Sequence, residues 1–345
     1  VRVLIDTTYA RRAPLSGTGV YIERLCSALA AVHGVEVIPA CNLRRRAPAG
    51  GGWGSALNLL ADERWTQVEL PRRARAAGAD VIHHPLPAYA HASALPQAVT
   101  VHDLAFELFP GEFDPAFRRV ARVTHRAAAL RAGAVICVSD TTAGDVQARW
   151  GVRSERIVVA PHGPGQDLRA APAPQAALPA GYFLYVGDDE PRKNLRGLLE
   201  AYRLYRDSQL APLDLVLAGS ASAADPGIQI EHRPDAARLA ALYAGAAALV
   251  HCAVHEGFGM TLIEAMAAGA PVLAAPAPAV LEVCGDAARY ADPSDPSSFA
   301  AAMAEIAADT ALRRELSERG RRRAAVFSWT DSARIHLGAY SLALK

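Results

Sequence analysis

Two acids with seven residues between them, Glu256 and Glu264, enclose Gly257-Phe258-Gly259-Met260-Thr261-Leu262-Ile263. The apolar segment Ala246 to Val250 reads as a buried strand, and Ala270-Pro271-Val272-Leu273-Ala274 reads as the next one. Gly257 and Gly259 then fall where a strand gives way to a helix, and Gly269 falls where that helix must stop. Glu256 stays in the loop at the helix start, while Glu264 lies about two turns in. Free N–H groups and the positive dipole end of a helix start favour a phosphate-bearing ligand. Carboxylates beside such a start suit sugar hydroxyls, which donate hydrogen bonds, better than phosphates, which they repel. The combination points to a sugar nucleotide. An ordinary strand–helix–strand unit with two surface glutamates is the plainer alternative.

Three other stretches could serve the same ligand. Glu190-Pro191-Arg192-Lys193-Asn194 follows a strand at Tyr182–Val186 and Gly187, and precedes a helix. Two cations at a helix start just past a parallel strand are well placed to grip a diphosphate. The chain holds only two lysines, Lys193 and Lys345, so the single internal one invites a specific reason, such as a compact charge on phosphate. Gly17-Thr18-Gly19 opens a helix after the first strand. It lacks the third glycine of G-x-G-x-x-G, position 22 being Ile, so a dinucleotide site there is weakly supported. His102-Asp103 ends a strand, where a capping or core-edge histidine is the ordinary reading. Ser139, His162 and Gly163 also sit at strand ends and read as structural.

The run EGFGMTLIEAMAAGAPVLA resembles the donor site of retaining glycosyltransferases with the GT-B fold, in particular glycosyltransferase family 4. The resemblance extends from the Gly17 loop through His102 and Lys193 to the paired glutamates, and is strongest from Tyr182 to Pro293. It implies two Rossmann-like domains whose parallel sheets face each other across a cleft. It implies that Lys193 and Arg192, with the N–H groups of Gly19 and of Gly257, Phe258, Gly259, Met260 and Thr261, stabilise a diphosphate leaving group. Glu264 would hold the ribose hydroxyls and Glu256 the hydroxyls of the donor sugar. His102, with Asp103 beside it, would steady that sugar from the other domain. Many members place Arg directly after the glycine where this chain has Asp188, which leaves the second cation to Arg192 or to none. The implied activity is transfer of a hexose or related sugar, from GDP-mannose or a UDP-sugar, to an acceptor hydroxyl in glycan or glycolipid biosynthesis. Because no residue stands out as a double-displacement nucleophile, the family's usual same-face attack is expected, with the leaving phosphate oxygen taking the acceptor's proton. No metal or other cofactor is expected, there being no D-x-D triplet and no His/Cys ligand cluster. Alternatives within and beyond this class are a sugar-nucleotide epimerase, a phosphorylase (which would need a pyridoxal-phosphate lysine) and a non-catalytic nucleotide-sugar-binding partner.

The elements that must carry these residues alternate strand and helix from end to end, the sign of a parallel α/β architecture. At 345 residues the chain suits two domains. The pattern reads as one Rossmann-like domain over 1–165, a Pro/Ala-rich linker over 166–180 and a second such domain over 181–328; the resemblance implies that the first binds the acceptor and the second the donor. A C-terminal helix over 329–345 is expected to pack back on the first domain. Strands are expected at Val1–Asp6, Val35–Ala40, Asp80–His83, Ala98–Val101, Ala134–Val138, Ile157–Ala160, Tyr182–Val186 and Leu213–Leu217, with helices at about 20–32, 194–207, 238–244 and 297–307. Base-reading residues are expected in Ser220–Asp235, and acceptor loops at Arg44–Trp53 and Leu86–Pro96.

Charge is uneven. Residues 1–165 carry 19 Arg and 14 Asp+Glu, against 17 basic and 21 acidic residues in the remainder. On the positive half, Arg118, Arg122 and Arg126 recur every fourth residue of a helix between Asp114 and Gly133, with Phe117, Val120 and Val123 expected away from that stripe. Such a helix could touch an anionic membrane surface, although a solvated face is the plainer reading. No apolar run reaches the roughly 20 residues that span a bilayer, and the start resembles a strand and not a signal peptide. The five scattered cysteines argue for reduced thiols in a cytoplasmic enzyme; the basic helix would allow a peripheral place at the inner membrane face.

Overall fold

The computed structural model describes residues 1–45, 53–165, 181–220 and 223–345, with side chains left out for 53–56. The expected linker at 166–180, and residues 46–52 of the Arg-rich loop, lie outside the described residues. Two compact units result: Val1–His162 with Trp329–Lys345, and Gly163–Ser328.

The first unit is built on six parallel strands: β1 (Arg2–Asp6), β2 (Glu36–Ala40), β3 (Val81–His84), β4 (Gln97–Val101), β5 (Ala134–Cys137) and β6 (Ile157–Val159), in the order β2-β1-β3-β4-β5-β6. The period-2 alternation of a strand assigns its faces. Val3, Ile5, Val81, Ala98 and Ile136 pack with Leu25 and Leu29 of helix Gly17–Ala30 and with Ala333, Ala339 and Tyr340 of helix Trp329–Ala343. Val99, Val101, Val135 and Cys137 face the other way, onto Ala121 and Ala129 of helix Pro115–Arg131 and onto Trp150. Ser16, Asp114 and Ser139 start their helices by accepting an N–H from Gly19, Phe117 and Thr142. The Ser16 cap moves the start of the first long helix to Gly17, three residues before the expected Val20.

The second unit repeats the plan with β7 (Tyr182–Val186), β8 (Asp214–Gly219), β9 (Ile228–His232), β10 (Ala248–His251), β11 (Val272–Ala274) and β12 (Ala288–Tyr290), all parallel, ordered β12-β11-β10-β7-β8-β9. β9 occupies part of the stretch expected to read the base. Ile228-Gln229-Ile230-Glu231 alternates apolar and polar residues, a short strand signal, and each of the four is half-buried on this edge strand. The core is Phe183, Tyr185, Leu215, Leu217 and Val250 against helices Leu195–Ser208 and Pro296–Ala308. The chain leaves β7 toward β8 and β9, then returns to the other side of β7 with β10. The crevice at the carboxyl ends of β7 and β10 is therefore the point where strand order reverses, the usual ligand position in such sheets.

Candidate donor site

Both loops at that reversal point carry the charged residues singled out above. After β7, Gly187 adopts φ +155 and its Cα approaches Lys193, whose Nζ lies only 2.8 Å from where a Cβ would stand. Gly219, at the end of β8 with φ +140, lies against Gly187, whose carbonyl oxygen would be 2.2 Å from an added Cβ. Two glycines thus let neighbouring strand ends close together, and leave the lysine ammonium over bare backbone. Among the described residues no carboxylate lies within ion-pair distance of Lys193. Its charge acts on Glu256 through space and not through a contact. Asp188, where a cation is more usual, turns away and accepts from Ser220 Oγ at 2.5 Å.

Arg192 answers the question left by Asp188 only in part. It is largely buried, with 16% of its side chain exposed, so it does not face solvent. Its guanidinium is shared between Glu190 at 2.7 Å and Glu256 at 3.2 Å. Glu256 also receives His251, whose Nε2 lies 3.3 Å from Oε1. Burial pushes the Glu256 carboxyl up. The hydrogen bond from His251 and the charges of His251, Arg192 and Lys193 outweigh that and hold it well below the usual carboxylate range. Glu256 is accordingly an anion with two oriented partners. His251 was not anticipated. It is the last residue of β10, and polar residues at the carboxyl end of a central parallel strand are the available signal.

Gly259 caps helix Met260–Ala268 in the left-handed region, at φ +97, and offers no side chain to its first turn. The early amides at Met260 and Thr261 have no carbonyl partner within the helix, the arrangement that accepts an anion. Gly257 and Phe258 are buried in the loop before it. Glu264 is 5% exposed, and its Oε2 accepts from the buried Tyr243 hydroxyl at 2.8 Å. Burial and the Glu264 charge push that phenol well up, so the pair is a neutral donor on a carboxylate.

In the first unit, Gly19 is buried, and a Cβ there would sit 2.1 Å from the Ala13 carbonyl oxygen. Its N–H, expected to serve an anion, is taken by Ser16 Oγ at 3.1 Å. The glycine is required by the close approach of the Ala13–Pro14 backbone. His102 directly follows β4 and lies 3.0 Å through Nε2 from the Pro85 carbonyl. Asp103 Oδ1 accepts the Ala105 N–H at 3.0 Å, shaping the turn after the histidine.

Helix Pro115–Arg131 departs from the expected basic stripe at Arg118. Phe117, Val120 and Val123 are 48, 56 and 69% exposed, and Arg119, Arg122 and Arg126 are exposed on the neighbouring sector of the helix, while Ala121, Ala128 and Ala129 are the buried ones. Arg118 is half-buried and donates to the Phe106 carbonyl. Arg119, Arg122, Arg126 and Arg149 line a cavity of about 400 Å³ with Glu107 and Val123. No helix among the described residues is long and apolar enough to cross a membrane. No group of three His, Cys, Asp or Glu among them is placed to hold a metal ion.

Two parallel six-stranded sheets, with cations and glutamates at the reversal point of the second, define a GT-B glycosyltransferase. Comparison with known proteins agrees. The family model Glycosyltransferase Family 4 matches residues 15–164, and Glycosyl transferases group 1 matches residues 173–323. The chain is 31% identical over 273 residues to O-antigen chain mannosyltransferase B of Escherichia coli, an overlap of 72% of this chain and 71% of that one. It is 27% identical over 235 residues to O-antigen chain mannosyltransferase RfbU of Salmonella typhimurium, spanning 65 and 63% of the two. Among solved structures, sucrose-phosphate synthase from Thermosynechococcus elongatus superposes with a TM-score of 0.77 at 20% identity, over 99% of this chain and 98% of that one. WaaG, a glycosyltransferase involved in lipopolysaccharide biosynthesis, does so at 0.68 and 18%, over 98% of each. The chain belongs to glycosyltransferase family 4.

Proposed function

We propose that this chain transfers a mannose-like sugar from a nucleoside diphosphate, GDP-mannose first among candidates, to an acceptor hydroxyl of a surface polysaccharide or its lipid-linked precursor. The observation that carries the reading is Lys193, with no ion-pair partner among the described residues, beside an oriented Glu256 at the strand-reversal crevice. Lys193 and the uncapped amides of Met260 and Thr261 take up charge as the anomeric bond to phosphate breaks, a stabilisation aimed at the transition state. Arg192 joins them when the diphosphate displaces its carboxylates. Glu256, kept ionised, accepts from sugar hydroxyls and orients the anomeric carbon. Glu264 holds the ribose, and His102 contributes to the sugar end of the donor. Attack comes from the face the diphosphate leaves, and its departing oxygen receives the acceptor's proton. The reaction on this reading needs no metal. Calorimetric titration with UDP, GDP, ADP and dTDP tests it: one nucleotide should bind and lose its affinity in Lys193→Ala. Binding by none of the four would overturn the donor-site assignment.

The reading places the enzyme in the cytoplasm, held peripherally at an anionic membrane face by helix Pro115–Arg131. Its exposed Phe117, Val120 and Val123 enter the interface while Arg119, Arg122 and Arg126 meet lipid phosphates. Sedimentation with phosphatidylglycerol vesicles should capture the protein, and Arg119→Glu/Arg122→Glu should release it. Equal capture by phosphatidylcholine, or none by either, would refute peripheral anchoring.

A further inference from the structure

Beside His102 runs a buried chain of hydrogen bonds drawn from four elements of the first unit. Tyr21, on helix Gly17–Ala30, is fully buried and sets its ring edge-on to the His102 imidazole, with centroids 4.9 Å and planes 83° apart. Its hydroxyl is 2.8 Å from Thr100 Oγ1 on β4 and 2.9 Å from His336 Nε2. Thr100 Oγ1 is 2.8 Å from His83 Nε2 on β3, and His83 Nδ1 is 2.9 Å from the Tyr340 hydroxyl. His336 and Tyr340 belong to helix Trp329–Ala343, so the Tyr21–His336 bond joins residues 315 positions apart.

One backbone carbonyl sets the direction of every bond. His336 Nδ1 lies 2.7 Å from the Ser332 carbonyl, which can only accept, so Nδ1 carries a proton. Burial, against the Ser332 bond and with the nearby His102, pushes His336 down to about 4, so the ring is neutral and Nε2 is a lone pair. Tyr21 must therefore donate to His336, and its oxygen accepts from Thr100. Thr100 in turn accepts from His83 Nε2–H. His83 is kept neutral chiefly by burial, which leaves its Nδ1 to accept from Tyr340. Every proton is used and none is missing, and one bond cannot reverse unless the others do. The same logic fixes His102: the Pro85 carbonyl demands an Nε2–H, and the buried neutral ring keeps Nδ1 as a lone pair.

We propose that Tyr21 is a positioning residue for His102, its ring holding the imidazole so that Nδ1 serves as an acceptor for a hydroxyl of the donor sugar, while His336 and Tyr340 of the C-terminal helix lock Tyr21 in place. This rests on the reading of His102 as a donor-sugar contact. The C-terminal helix is then part of the apparatus that recognises the sugar as well as of the core.

The test is a double-mutant cycle read by calorimetry with GDP-mannose, or UDP-glucose if the titration selects uridine, and with the bare nucleoside diphosphate as internal control. His102→Ala should weaken the sugar nucleotide by about tenfold, the size of one lost hydrogen bond, and leave the nucleoside diphosphate unchanged. Tyr21→Leu should do the same, and the double variant should be no weaker than His102→Ala alone. In ¹⁵N-histidine spectra, His102 should be a single Nε2–H tautomer in the native protein and a mixture in Tyr21→Leu. Multiplying effects in the double variant, or an unchanged tautomer in Tyr21→Leu, would overturn the proposal. If His102→Ala leaves the sugar nucleotide unaffected, the reading of His102 fails, and the proposal that Tyr21 positions it for a sugar falls with it; the spectra then report separately on Tyr21's hold. Should Tyr21→Leu not fold, Tyr21→Phe replaces it in both measurements, with a smaller loss expected that is likewise absent in the His102→Ala background.

Discussion

Lys193→Ala is the sharpest perturbation the donor site offers. The ammonium lies against the backbone at Gly187 and has no ion-paired carboxylate among the described residues, so a ligand phosphate reaches it without first breaking a bond. Arg192 differs, because Glu190 and Glu256 must release it before it can serve. A hydrogen bond to a charged group contributes about 1.5–3 kcal/mol, which converts to an affinity loss of roughly ten- to a hundredfold. Coulomb attraction for one charge pair at about 4 Å and an effective dielectric near 20 is about 4 kcal/mol, and partial exposure of the lysine reduces it. Titration of Lys193→Ala with nucleoside diphosphate, monophosphate and nucleoside should show the full loss, a smaller one and none. The loss should shrink as salt is raised. A variant that melts like the native protein yet binds the diphosphate within about twofold of it would refute the assignment, since the phosphate energy would then come from groups other than Lys193.

Glu256→Gln should lower kcat by at least about a hundredfold, and intact mass after incubation with donor should show no covalent sugar. An adduct would sink same-face attack. Gly219→Ala should destabilise the fold by at least about 2 kcal/mol, because φ is +140 and the new Cβ meets the Gly187 carbonyl oxygen at 2.2 Å. Gly34→Ala has φ +78 but open space around it, so its melting point should fall less, and the reverse order would contradict the close approach. Burial pushes His336 down to about 4, so between the unfolded value and that one the unfolded chain holds the extra proton. Stability should therefore fall as pH is lowered from about 6.5, by up to about 1.4 kcal/mol per pH unit for each such histidine. Urea midpoints equal at pH 7.5 and pH 5 would contradict a neutral buried network.

Much of this was legible in the sequence because the informative residues are local. The glycines at 257, 259 and 269 mark where a helix starts and stops, and apolar runs such as Tyr182–Val186 bound the strands that carry the loops. What could not be read is pairing. Arg192 and Glu256 are 64 positions apart, and nothing in either neighbourhood says that the one neutralises the other. Nor does the spacing of Phe117, Val120 and Val123 reveal that helix Pro115–Arg131 buries alanines, because a helix packed on a sheet through small residues can leave its larger apolar ones outside.

The histidines make the same point from the opposite side. A sequence shows His83, His102, His162 and His336 far apart along the chain, and nothing in it links one to another. Folding puts His83, Thr100, Tyr21, His336 and Tyr340 into one chain of contacts. There the choice of tautomer at one ring follows from a carbonyl on the C-terminal helix. A buried polar network of this kind is tolerable only when every member is satisfied, since each unmatched group would cost about 1–3 kcal/mol. The consistent proton order is therefore itself a constraint on which residues can stand at positions 21, 83, 100, 336 and 340. Val at 100 or Phe at 340 would keep the shape and break the order. On the reading proposed, such a change should disturb recognition of the sugar while leaving binding of the bare nucleoside diphosphate intact.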